Sequence, residues 1–144
     1  MRPVITLVLF VCVSILGCQP SSTRLPQSVA RADETAVIAS LHSISQAENA
    51  YRLTSNDEYG TLEQLVNSGY LDQRFNSAQP VANYILTVQL TPRSSSSPAS
   101  FYSVHADPQA SGERAGRHYY IDSTSSVIHV NATQPATATD ETIQ

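Results

Sequence analysis

The chain has 144 residues, enough for one ordinary domain and too few for two large ones. Its eight basic residues are all arginine and stand against twelve acids, for a net charge of −4; there are two cysteines and no tryptophan. A mildly acidic chain without a basic cluster excludes ordinary nucleic-acid binding, and two cysteines exclude a disulfide scaffold or a cysteine-based zinc site.

The chain opens with an apolar run, Val4 to Leu16, broken only by Thr6 and Ser14. As a helix it would reach about 20 Å, short of the roughly 20 residues that a bilayer core takes. With Arg2 ahead of it, the run has the marks of a secretory signal peptide. It ends in Ile15-Leu16-Gly17-Cys18, which resembles the bacterial lipobox. That resemblance implies a signal peptide over residues 1–17, recognised by its peptidase through Ile15, Leu16 and Gly17. It also implies cleavage before Cys18 and acylation of the Cys18 thiol and its new amino terminus. An ordinary signal peptide with a chance cysteine, or a short uncleaved anchor, is the other reading of the same run. Cleavage would leave 127 residues with a side-chain balance of −5 and no free thiol, so the domain would rest on its core alone. Two or three acyl chains would hold it stably to a membrane, facing the periplasm. Gln19, in place of an aspartate, points to the outer rather than the inner membrane in such systems.

Residues 18–28, with Pro20, Ser21 and Ser22, read as the lipidated cysteine and a flexible tether. From Val29 to about Leu53 there is no proline or glycine, and Val37, Leu41, Ile44 and Tyr51 recur at helical spacing, with Ala47 and Ala50 beside them. Asn56 to Gly60 reads as a turn. Thr61-Leu62-Glu63-Gln64 has capping-box spacing, Leu62, Leu65 and Val66 give a short helix its buried side, and Gly69 is a natural stop. Tyr70 and Leu71 are expected to fold back onto the core, and residues 74–81 to form a loop.

The pattern then changes to alternation. Tyr84, Leu86, Val88 and Leu90 give one strand an apolar face, and Phe101 to Ala106 a second, after a serine-rich connection. A longer loop follows from Asp107 to Gly116. His118 to Asp122 and Val127 to Val130 make the third and fourth, with Tyr119, Ile121, Ile128 and Val130 on the buried face. A four-residue loop, Ser123 to Ser126, is favoured over a two-residue turn because the tight hairpin turns want glycine or asparagine. It sets Tyr120 opposite His129. The polar, Thr/Ala-rich residues 132–144 are expected to be disordered. The fold class is therefore α+β, a long N-terminal helix packed on an antiparallel sheet of about four strands, with the domain spanning residues 29–131.

This order resembles the head of a type IV pilin or type II secretion pseudopilin. The stretch from Leu25-Pro26 through Arg31-Ala32 to Glu34–Ile44 is similar to the segment that follows the pilin transmembrane part, and Tyr51 stands where one subgroup carries a tyrosine. Gly69-Tyr70-Leu71-Asp72, Tyr119-Tyr120-Ile121-Asp122 and Val127-Ile128 resemble later elements of those proteins. The resemblance covers about residues 25–138. The chain departs from it by lacking the prepilin peptidase site and the apolar filament helix, and by carrying Ser126 for glycine and His129 for arginine. It implies a pilin-like head on a lipid anchor, acting beside pilus or secretion-system proteins rather than as a fibre subunit.

Candidate sites are few. His118 and His129 on neighbouring strands could form half a metal site, but no third ligand stands at a telling spacing, so no metal or cofactor is expected. No Gly-x-Ser-x-Gly nucleophile elbow is present, and no enzyme activity is expected. Asn131-Ala132-Thr133 fits a glycosylation sequon, with little relevance beside a lipobox. Tyr102 and Tyr120 are the candidates for an exposed partner surface, since tyrosine favours interfaces.

Overall fold

The computed structural model describes residues 24–76, 80–97, 99–109 and 116–143. The expected signal peptide, the lipobox-like Ile15-Leu16-Gly17-Cys18 and the first part of the expected tether lie outside the described residues.

Helix α1 runs from Arg24 to Thr54, 31 residues. It begins inside the stretch expected as tether, because Pro26 falls in the first turn, where a missing N–H costs nothing. Its inner side buries Val37, Leu41, Ile44 and Ala47, and with them three polar residues, Ser40, Ser45 and Glu48. Ser40 satisfies its hydroxyl on the Ala36 carbonyl, 2.8 Å away. After α1 the chain turns through Asn56 and Asp57, both at positive φ (53° and 62°), where these two residue types are least strained.

Helix α2 is Leu62–Asn67, and its capping box forms as the spacing predicts: Thr61 accepts from the Gln64 N–H, and the Gln64 side chain accepts from the Thr61 N–H. It stops in a Schellman turn. Gly69, at φ 77°, donates to the Val66 carbonyl, and Tyr70 to that of Leu65. Residues 73–75 are not plain loop: Gln73–Phe75 is a 3-10 turn capped by Asp72, and it buries Phe75.

Five strands follow in a meander: β1 Tyr84–Thr91, β2 Phe101–Pro108, β3 His118–Asp122, β4 His129–Asn131 and β5 Glu141–Thr142. They lie in the order β1-β2-β3-β4-β5, each antiparallel to the next. Helix α1 lies across β2 and β3, and the core fills the space between. The α+β reading holds. The β3–β4 register sets Tyr120 opposite His129 as the four-residue loop requires. Ser126 closes that loop at φ 55°, a left-handed conformation for which glycine is the usual residue.

Two expectations need correction. The sheet has five strands, not about four, and the fifth comes from the tail expected to be disordered. The tail is held by a polar network that its composition hides. Asp140 accepts from the Thr137 N–H at 2.7 Å and from the Asn131 side chain at 2.8 Å, which holds the carboxyl below the usual range. Ala136 is fully buried, and the Ile143 N–H bonds the Ile128 carbonyl while its side chain packs on the core. The structured domain therefore runs past residue 131.

Candidate functional site

The structure separates the two tyrosines expected on a common exposed face, and neither is exposed. Tyr102 points into the core. Its strand partner is Leu90, as Val104 is opposite Val88 and Ala106 opposite Leu86, so the even-numbered residues of β2 share the face under α1. Its hydroxyl donates to Ser45 Oγ at 3.0 Å, and its ring meets Tyr59 edge-on with centroids 4.7 Å apart. Burial pushes its pKa up.

Tyr120 does lie on the outer face of the sheet, yet only 8% of it is accessible. The rings of His105 and His129 cover it from the two adjacent strands, at 5.0 and 6.1 Å between centroids. Its hydroxyl donates to Asp122 Oδ2 at 3.0 Å. Burial, and then the Asp122 carboxylate, push the phenol up to about 12. The other Asp122 oxygen accepts from the Thr124 and Ser125 N–H groups, so this aspartate caps the β3–β4 loop and fixes the tyrosine at once. The arrangement is a row of one phenol between two imidazoles, with the phenol held by Asp122.

His118 and His129 pair with an acid and a carbonyl rather than with each other. His118 lies opposite Asn131, diagonal to His129, and its Nδ1 bonds the Asp107 carboxylate. The Nδ1 of His129 bonds the Asp140 carbonyl at 2.9 Å. Among the described residues no group of three or more His, Cys, Asp or Glu is placed to hold a metal ion. Asn131 spends both ends of its amide on the tail: Oδ1 accepts from the Thr133 and Gln134 N–H groups, and Nδ2 donates to Asp140.

The group that sequence reading missed is Glu48. The helical spacing that links Val37, Leu41, Ile44 and Tyr51 runs through position 48, which was the available signal. Its carboxyl is fully buried beside Tyr102. Oε2 accepts the Gly60 N–H at 2.9 Å, tying the loop after α1 back onto the helix, and Oε1 has no hydrogen-bond partner among the described residues. Burial raises this carboxyl to about 7, against the opposing pull of the Gly60 N–H. A tyrosine ring fills the space beside the glycine: a Cβ there would come within 3.0 Å of Tyr51 Cε1.

A second polar tie joins the start of α1 to the sheet. Arg117 donates to both carboxylate oxygens of Glu34, with Nη2 at 3.1 Å from Oε2. Burial works against the Glu34 carboxylate, but the Arg117 guanidinium and N–H prevail and lower its pKa. On the opposite side of α1, an open groove of about 370 Å³ lies between the helix and the segment after α2, lined by Ser43, Gln46, Ala50, Tyr70, Leu71 and Asp72 among others. Its lining sets the polar groups of Ser43, Gln46, Asp72 and Arg74 beside apolar Ala50, Leu71 and Phe75.

No helix of the described residues is long and apolar enough to cross a membrane. No family model, curated protein or solved structure matches this chain.

Proposed function

We propose that this protein is a non-catalytic lipoprotein of the bacterial cell envelope, anchored through lipid on Cys18 and facing the periplasm. Its α+β head acts as a binding or assembly component beside a pilus or secretion system. The observation that carries the reading is Ile15-Leu16-Gly17-Cys18 at the end of the apolar run that starts at Val4. A long first helix laid on an antiparallel meander supports the pilin-like part of it. So does Ser126, which takes a glycine-like conformation at the position where pilin-like proteins carry glycine. The buried carboxylate, the capped loops and the locked tyrosines all serve the fold, which favours a scaffold over a catalyst.

The groove beside α1 favours a second reading, a small envelope lipoprotein that binds a soluble ligand or polymer without any filament. The anchor is tested by the intact mass of the full chain from the membrane fraction, beside Cys18→Ala. A mass of residues 18–144 plus acyl groups, lost in the variant, is the expected result. An unprocessed or unlipidated mass removes the reading. Co-purification with pilin or secretion components separates the first role from the second.

A further inference from the structure

The loop between the two helices, Ser55 to Gly60, closes over a buried acid near the end of α1. Glu48 has no accessible surface, and only its Oε2 meets a donor, the Gly60 N–H. A dry carboxylate needs more than one donor, so the second oxygen makes the charge costly and favours the neutral acid. The groups packed around it do not offset that cost. The Tyr102 phenol of β2 is spent on Ser45 Oγ, and Tyr59 of the loop lays its ring against Tyr102. Tyr51 of α1 packs on Gly60. Arg52, one turn along the helix, sets its guanidinium over the Tyr59 ring and 4.0 Å from Asp57 rather than on Glu48. Glu58 of the loop is paired with Arg93. Away from Gly60 the loop is held lightly: Asn56 and Asp57 sit at positive φ, and its ion pairs join partly exposed side chains, where such pairs contribute little. Helix α2 carries its own capping box and Schellman turn, so it does not depend on where the loop lies.

We propose that Ser55–Gly60 is a lid latched by the neutral Glu48 carboxyl, and that loss of its proton lets the lid swing open while α1, α2 and the sheet stay folded. Ionisation strengthens the bond to the Gly60 N–H itself, but the second oxygen has to reach water, and moving the loop lets water in. With the lid open Glu48 is solvated, can pair with Arg52 at the i,i+4 spacing, and returns towards its ordinary value of 4.5. The closed form holds the proton up to about pH 7, so it is favoured at low pH; opening grows from pH 4.5 to about 7 and levels off above. This is a local event, distinct from the loss of overall stability that the same ionisation brings. The open form presents the Tyr102 ring and a carboxylate that the closed form seals. The device belongs to the folded head alone and does not depend on lipid at Cys18 or on any filament.

The test is native-state hydrogen exchange of the full chain in detergent, followed by NMR from pH 5 to 8 with and without low urea, each amide referred to its intrinsic rate at that pH. Ile121, buried in β3, reports global unfolding. The Gly60 amide is expected to be about ten-fold or more less protected than Ile121, and to ignore low urea because a lid exposes little surface. Its protection is expected to fall by tens of fold between pH 5 and 8, with about 70-fold as the limit that the shift from 4.5 to about 7 sets. In Glu48→Gln that fall disappears. Should the variant not fold, the parent decides alone, since its Gly60 curve has to fall up to about pH 7 and flatten above. Gly60 protection that equals that of Ile121 and responds to urea alike, that is flat from pH 5 to 8, or that falls equally in Glu48→Gln overturns the proposal.

Discussion

Replacing Glu48 by glutamine tests how a buried carboxyl is tolerated in this core. The unfolded chain leaves Glu48 at an ordinary carboxyl value of 4.5, and the folded protein raises it to about 7. An acid raised on folding binds its proton more tightly in the native state. The contribution of Glu48 to stability is therefore greatest below pH 4.5, falls as pH rises through the interval, and levels off above about 7. Two and a half decades at about 1.4 kcal/mol each amount to an upper bound of about 3–4 kcal/mol lost from that one group. Glutamine is the isostere of the protonated acid: its carbonyl oxygen can keep the Gly60 N–H, and it never carries the charge. Glu48→Gln is expected to match the parent near pH 4.5 and to exceed it by about 1–3 kcal/mol at pH 8. Urea unfolding at closely spaced pH values checks this. Every other residue is common to the two proteins, so the difference between the two curves isolates position 48. Parallel curves, with a constant offset from pH 4.5 to 8, would refute the reasoning.

Gly60→Ala is expected to cost about 1–3 kcal/mol in the same assay, because its Cβ would press on the Tyr51 ring and disturb the N–H that Glu48 accepts. Deleting residues 135–144 removes Ala136, Asp140, β5 and Ile143; a lower melting midpoint and loss of protection at the β4 amides in hydrogen exchange are expected, whereas unchanged melting would return the tail to a dispensable role. Arg117→Ala is expected to cost about 1 kcal/mol near neutral pH, since the pair is partly exposed. Its effect should shrink on acidification below the usual carboxyl range: a carboxylate lowered on folding stabilises the native state above its unfolded pKa and loses that contribution as pH falls through the folded one.

Local rules read from single residues carried far. The Thr61–Gln64 capping box, the Gly69 stop and the β3–β4 register all form as the spacing implies, because each depends on atoms only a few residues apart. Readings that depended on distant partners did worse. The phase of β2 is set by its pairing with β1, so Tyr102 turned into the core and not to the exposed surface expected of it. Tyr120 had its phase right, but two histidines from neighbouring strands cover it. Glu48 was passed over because a charged residue reads as a gap in an apolar stripe, and only the folded chain brings the Gly60 N–H to it. The tail looked disordered by composition, yet one aspartate and one isoleucine hold it to the sheet. The lipobox-like Ile15-Leu16-Gly17-Cys18 is a purely local pattern and lies outside the described residues.

Helix α1 starts well before it meets the sheet. Its hydrogen bonds to Asn83 and Arg117 come from Asp33 and Glu34, while Val29, Arg31 and Ala32 are exposed. At about 1.5 Å per residue, the nine steps from Arg24 to Asp33 form a rod of about 14 Å. A helical rod transmits direction as well as distance, which a floppy leash does not. The helix thereby couples the direction in which the chain enters at Arg24 to the way the sheet faces, which a flexible segment of the same length would not.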